Sequence, residues 1–370
     1  MPYIAELQKF FAERGFSLPE ISLLQPADPF LDTAGEDLRR RIFMTHDLAG
    51  ASLCLRPEFT IPVGLAHLKG TNEYGKYAYC GNVFRQRRRG PEEFFQAGME
   101  IIGGSPGAGT IESINSDVEC VANALDALAH CGMDKGRIVF GDKAVFEALL
   151  LALELPEAWR SRLGRAFGDN HKFEHDLQLF ASSEHGIKSK DLELHLALEY
   201  MNTQAVTDWV VDKMALANLP AKGGRTAADI AKRTITKADL AATQLSKEQR
   251  RILRAFLSIE VPLADAVDEL AKFSKSMKLE MDPAIDIFAR RAAKLTEKTG
   301  SQIATTWRAN FGRPLDYYTG IVFEIFREGS HIPVCGGGRY DHLMNMLGAE
   351  NEIPAIGFSI WIDRLEGSNK

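Results

Sequence analysis

Apolar residues recur at helical spacing from the start of the chain, with Ile4, Leu7, Phe11 and Ala12 on one face of a helix over residues 4–14. Residues 41–46 and 52–55 read as the two strands of a hairpin, joined by Asp47-Leu48-Ala49-Gly50 with glycine at the turn. Pro57 suits the first turn of a helix whose inner face carries Ile61, Leu65 and Leu68. Strands are predicted over 75–84 and 94–102, separated by a Gly-Pro break. A helix follows over 116–128, with Val118, Val121, Ala122 and Leu125 inward. From 151 to 261 Leu, Ala, Glu and Lys dominate and helical spacing recurs, the texture of a helical insert. Pro262 begins another helix through Leu263, Val267 and Leu270. The next runs through Ile285, Phe288, Ala292 and Leu295, and Gly300 closes it as a C-terminal cap. Strands return over 302–311 and 320–327, then a glycine-rich turn at Gly336-Gly337-Gly338. After Pro354, the spacing of Phe358, Trp361 and Leu365 at i, i+3 and i+7 predicts a final helix. The expected architecture is a mixed antiparallel α/β (α+β) domain over 1–150 and 262–370, split by the helical insert at 151–261.

Composition narrows the function. The 370 residues suffice for about two domains, and the apolar and charged fractions, 45% and 25%, are those of a soluble globular protein. No apolar run approaches the ~20 residues of a membrane-spanning helix. The N-terminus lacks the basic and apolar regions of a secretory signal. A cytoplasmic location without a membrane partner is therefore expected. Five scattered cysteines contain no C-x-x-C pair, which leaves disulfide frameworks and zinc knuckles unsupported. His171-Lys172-Phe173-Glu174-His175 matches H-x-x-E-H, but with no third ligand evident it reads as a polar helix face or loop, and no metal is expected. The glycine-rich stretch 103–109 lacks the Gly-Lys-Ser/Thr ending of a P-loop and reads as a mobile loop. The triple glycine does not open a βαβ unit, which argues against a dinucleotide fingerprint. A net charge of −6 argues against nucleic-acid capture. The basic run Arg85-Gln86-Arg87-Arg88-Arg89 taken alone reads as a solvated loop.

Several short signals occur in a fixed order: Arg56-Pro57-Glu58-Phe59-Thr60, Phe84-Arg85, Phe95-Gln96-Ala97-Gly98-Met99-Glu100, Arg313-Pro314-Leu315-Asp316-Tyr317-Tyr318-Thr319-Gly320, Gly337-Gly338-Arg339-Tyr340-Asp341, and Ala355-Ile356-Gly357-Phe358 with Asp363-Arg364-Leu365. In order and approximate spacing these resemble the signatures of histidyl-tRNA synthetase, over almost the whole chain. The resemblance implies a class II aminoacyl-tRNA synthetase-like antiparallel sheet flanked by helices. It also implies a histidine pocket. Glu58 and Thr60 match positions that hold the histidine ammonium, Gln96 and Glu100 line the pocket, and Arg85 is the motif-2 arginine. Arg313, Tyr317 and Tyr318 match the histidine-specific segment, where a tyrosine meets the imidazole. The chemistry is coherent, since a free amino acid needs a carboxylate, a cation and a polar aromatic tip. Each charge-assisted hydrogen bond contributes roughly 1.5–3 kcal/mol.

The nucleotide half departs from the family pattern. Arg87 stands where the family has an adenine-recognising acid, and the following loop is shorter. Trp361 replaces a glycine three positions before Arg364, where an indole would fill adenine's space. Pro314 replaces the glycine beside Arg313, fixing φ and removing an N–H. The family also continues into an anticodon-binding domain, and no such domain is expected here. This profile is similar to the regulatory-subunit family of ATP phosphoribosyltransferase. It implies a non-catalytic, cofactor-free histidine sensor that binds a short-form catalytic subunit, as a homodimer within a hetero-oligomer. The motif-1 segment around Leu24–Pro26 and the helix after Pro57 would form the dimer contact. Two alternatives stay open: a truncated but ATP-using enzyme, and an RNA-binding paralogue resting on the basic run.

Overall fold

A computed structural model describes residues 3–365 apart from 34, 71, 89, 105–108, 180–193, 195–196, 199–201, 218–225, 243–244, 300–302, 314 and 316. Gly300, Pro314, Arg89 and most of the predicted loop at 103–109 thus lie outside the described residues. The chain forms two compact units, one of residues 1–152 with 256–370 and one of 153–255.

The larger unit is built on an eight-stranded sheet. Its strands are β4 (Tyr74–Phe84), β5 (Glu93–Gly103), β6 (Gly136–Asp142), β7 (Glu260–Pro262), β8 (Ile303–Arg308), β9 (Ile321–Arg327), β10 (Pro333–Arg339) and β11 (Ala355–Trp361). They run in the order β4-β5-β11-β10-β9-β6-β8-β7. Every pairing is antiparallel except β6 with β8. A separate three-stranded sheet joins β1 (Leu24–Pro26), β3 (Ser52–Leu55) and β2 (Met44–His46). In the β2–β3 turn, Asp47 accepts from the Ala49 and Ala51 amides and Gly50 adopts a φ of 85°. The helix Ile111–His130 packs on β5, β10 and β11 and against the helix Asp282–Thr299. Thr110 caps its start, accepting from the Ser113 amide at 3.1 Å.

Five buried charges hold these helices to the sheet. Asp117 accepts from Arg291 Nε and Arg339 Nε, both at 2.7 Å. Arg291 also reaches Asp142 at 2.5 Å, and Arg339 reaches Asp341 at 2.9 Å. The expected helix over 116–128 omits Asp117 from its inner face. Yet a carboxylate on the buried stripe with Ile114, Cys120, Val121 and Ala124 is the residue that needs a partner.

Several predicted elements shift. The first helix buries Leu7, Phe10 and Phe11, and Ala12 is exposed. The helix after Pro57 begins at Thr60, because the Glu58 carboxylate accepts the first free amides there. Strand β6 has no counterpart in the sequence reading. Pro262 ends a short strand, and a 3-10 turn at Leu263–Asp265 precedes the helix Ala266–Met277.

Two differences reach the site. Gly336–Gly338 form no turn but the middle of β10, because a central strand crossed by large side chains needs positions with no Cβ. The expected helix after Pro354 is strand β11, and only Ile362–Leu365 are helical. Both faces of β11 are covered, which removes the period-two alternation that marks a strand and leaves a chance helical spacing.

The smaller unit is helical where described: Glu157–Ala166, Asn170–Leu179, Thr203–Leu216, Ala227–Ala242 and most of Lys247–Leu257. Val206, Val210 and Ala231 form part of its core. His171 and His175 lie on the second of these helices, where Phe173 is buried and Glu174 pairs with Arg254 at 2.8 Å. Among the described residues no helix is long and apolar enough to cross a membrane.

Candidate functional site

The register of the sheet builds a trough. Tyr79 lies opposite Gly98, Gly98 opposite Ser359, Ser359 opposite Gly336, and Gly336 opposite Glu324. This row crosses five strands with small residues in the middle and polar side chains at its ends. The parallel rows set Gln96 opposite Trp361 and Glu100 opposite Gly357. Because strand side chains alternate, Gln96, Gly98 and Glu100 share one face of β5. A Cβ on Gly357 would land inside the Glu100 carboxylate, and one on Gly336 would lie 2.9 Å from the Arg313 guanidinium carbon. Glycine at both positions leaves room for those two charged groups.

Over this trough lies a cleft of about 330 Å³. Glu58, Thr60, Arg85, Gln96, Arg313, Tyr317, Tyr318, Trp361 and Arg364 all line it. Glu58 is 4% exposed. Its oxygens accept from the Thr60 amide at 2.7 Å and the Ile61 amide at 2.9 Å, closing the start of the helix Thr60–Lys69. Burial raises its pKa, while those amides and the Arg85 charge oppose the rise. Arg85 donates to the Pro57 carbonyl at 2.6 Å, and desolvation brings it down to about 10 against the pull of Glu58.

Glu100 lies beneath Thr60 and accepts from Thr60 Oγ1 at 2.7 Å, Tyr79 OH at 3.2 Å and Tyr340 OH. Burial pushes its carboxyl up to about 8, although the three hydroxyls favour the anion. Gln96 is 1% exposed and its Oε1 has no hydrogen-bond partner among the described residues. Leaving such an acceptor unmet costs roughly 1–3 kcal/mol, so it is fit for a donor brought by a ligand.

On the other side Arg313 donates to Tyr318 OH at 2.6 Å and lies 3.5 Å from Glu324. Burial lifts the Tyr318 phenol to about 12, with Arg313 opposing; the hydroxyl therefore stays protonated at neutral pH. Two guanidiniums approach the Trp361 ring, Arg364 at 4.2 Å and Arg313 at 5.6 Å from its centroid. Arg364 also donates to the Pro333 carbonyl at 2.7 Å. The indole ends β11, and Arg364 follows on the short helix, so their contact arises across a strand–helix junction.

Arg87 lines the adjoining groove. Its guanidinium stacks 3.4 Å from the Phe94 ring centroid and pairs with Asp363 at 3.5 Å. The basic run is thus not a uniformly solvated loop, since Arg85 turns into the cleft and Arg87 against the protein. The groove also gathers Arg40, Arg41, Arg88 and Arg327, with Glu92 and Glu328 as further acids.

Glu324, Tyr79, Ser359 and Arg41 lie outside the residues expected from sequence, and Tyr340 belongs to them only as part of the motif at 337–341. Tyr79 and Ser359 enter through strand register, which no local pattern encodes. Glu324 carried a signal: a charged residue inside the apolar run Ile321–Phe326. Among the described residues, no group of His, Cys, Asp and Glu is placed to hold a metal ion.

An antiparallel sheet bearing a polar trough, with two carboxylates on one side and paired arginines on the other, is the class II synthetase-like site. The family described as Histidyl-tRNA synthetase matches residues 3–234 and 224–365. Solved structures agree on the fold. A protein from Bacillus halodurans, titled as an ATP phosphoribosyltransferase regulatory subunit/histidyl-tRNA synthetase, superposes with a TM-score of 0.63 at 20% identity, over 98% of this chain and 77% of that one. A histidyl-tRNA synthetase from Nostoc sp. PCC 7120 gives 0.62 at 15%, over 98% and 70%. Sequence relatives are nearer. ATP phosphoribosyltransferase regulatory subunits of Rhizobium meliloti and Mesorhizobium japonicum are 42% and 43% identical, each over 98% of this chain and 96% of the relative. The chain belongs to the ATP phosphoribosyltransferase regulatory subunit family.

Proposed function

We propose that this chain is a non-catalytic, histidine-binding regulatory subunit. It binds a short-form ATP phosphoribosyltransferase catalytic subunit in the cytoplasm, activates it, and conveys feedback inhibition by histidine in the first step of histidine biosynthesis. The observation that carries this reading is the unmet Gln96 acceptor beside Glu58 and Thr60, facing Arg313 and Tyr318 across a cleft of amino-acid size. The ammonium would take the Glu58, Thr60 and Gln96 side. The carboxylate and ring would take the arginine and tyrosine side. The nucleotide side supports no adenylation, because the Trp361 ring occupies the space beside Arg313 and Arg364 and Arg87 is turned against Phe94 and Asp363. Histidine would act on the partner through a coupling free energy, typically about 1–3 kcal/mol. Titration calorimetry of histidine into the isolated chain and into its complex tests this. Saturable binding without ATP is expected, and no binding in either form would sink the sensor.

For assembly we propose a homodimer through the three-stranded sheet, within a hetero-oligomer. Leu23, Leu24 and Met44 on and beside that sheet are about half exposed, as a contact surface requires. Sedimentation of the isolated chain as a monomer at micromolar concentration would exclude it. A second reading, RNA binding, draws on the arginine groove alone. A gel shift with tRNA over a salt series separates the two, and the regulatory reading expects no shift at physiological salt.

A further inference from the structure

We propose that the ammonium group of an amino acid entering this cleft expels a proton from Glu100, so that occupancy of the site is linked to pH. The inference rests on reading the cleft as an amino-acid pocket. Its basis is the arrangement of hydroxyls around Glu100, which accommodates both protonation states without moving a heavy atom. The Tyr79 hydroxyl lies 3.2 Å from Glu100 Oε1, 3.0 Å from the Phe358 carbonyl and 2.7 Å from Ser359 Oγ. It has one proton and two lone pairs. When Glu100 is ionised, Tyr79 donates to it. When Glu100 is protonated, Tyr79 turns its proton to the Phe358 carbonyl and accepts the one from Glu100. Neither state leaves an orphan.

The surroundings decide which carboxylate holds the proton. Thr60 joins the two, giving its amide to Glu58 and its hydroxyl to Glu100. Glu58 has two backbone amides and faces the Arg85 charge. Among the described residues Glu100 accepts only from hydroxyls, and Glu58 raises its pKa further. Of two buried carboxylates this close, the less compensated one takes the proton. The other groups facing Glu100 are Tyr79 on β4, Cys120 on the helix Ile111–His130, Tyr317 and Tyr318, and Tyr340 after β10. Burial raises the pKa of each, so each stays neutral. Asp117, the nearby acid on that helix, is held by Arg291 and Arg339. Glu100 does not itself line the cleft, but Thr60, from whose hydroxyl it accepts, does, and a ligand ammonium held beside Glu58 and Thr60 supplies the missing counter-charge. The Glu100 O–H bond then breaks, its electron pair stays on the carboxylate, and the proton passes to solvent.

Calorimetry of histidine binding to the full chain in two buffers of different ionisation enthalpy counts the protons. Release close to one per ligand is expected near pH 7, falling towards zero above about pH 9. Kd should tighten up to tenfold per pH unit until about pH 8. Glu100→Gln should lose that release while any contribution from the ligand's own imidazole remains. If that variant does not fold, infrared difference spectra of the unsubstituted chain decide. The carbonyl stretch of a buried protonated carboxyl should vanish on adding histidine. Binding with no proton exchange, or unchanged release in a folded Glu100→Gln, overturns the linkage and leaves the pocket intact. No binding at any pH removes the pocket reading itself.

Discussion

Glu58 faces the cleft with the same carboxylate that closes the first turn of a helix. Glu58→Ala is therefore expected to abolish histidine binding and to cost roughly 0.5–2 kcal/mol of stability through the lost cap. Calorimetry and urea unfolding measured together would resolve the two effects. Glu58→Gln, which keeps an acceptor for the amides, should spare stability more than binding. Glu100 gives the folded chain a pH signature even without ligand. Its pKa in the folded state, about 8, lies above its ordinary value of 4.5. The folded form thus binds the proton more tightly, and the stability this group contributes is present below about pH 4.5 and lost as pH rises through 8. Melting temperature should fall across that window, and less steeply in Glu100→Gln. An equal slope in both proteins would contradict the assignment.

At the level of elements, the positions without side chains shape the site as much as the charged ones. Gly357→Ala should cost roughly 1–3 kcal/mol by overpacking and displace Glu100, so that denaturant midpoint and histidine affinity fall together. Asp117→Asn breaks a buried pairing with two arginines and is expected to cost about 3–5 kcal/mol, read as a lower midpoint at unchanged m-value. These elements were also the hardest to read from sequence. The β2–β3 hairpin and strands β4, β5 and β9 were legible, since their alternation or bounding turns survive locally. The glycines of β10 read as a turn because glycine punctuates loops far more often than it hollows a central strand. Strand β11 read as a helix because burial on both faces erased its alternation. The polar residues within the quoted motifs were legible as types, but Tyr79 and Ser359 reach the trough only through cross-strand register.

For the whole molecule, the retained amino-acid side and the altered nucleotide side make opposite demands on experiment. Histidine-dependent pyrophosphate exchange should be undetectable with the purified chain, and robust exchange would overturn the reading of Trp361. Purification from native cells should bring a short phosphoribosyltransferase with it, the observation that bears most directly on the partner. The trough also has a kinetic consequence. Tyr340 and Glu100, bonded in its floor, are 240 residues apart in sequence, and Tyr79 and Phe358 are 279 apart. Loops of that length close late, after the local hairpin of β4 and β5 has formed. A ligand needing both halves finds no site in the folding transition state. Histidine should accordingly slow unfolding and leave the refolding rate unchanged, its whole effect falling on one limb of a chevron plot.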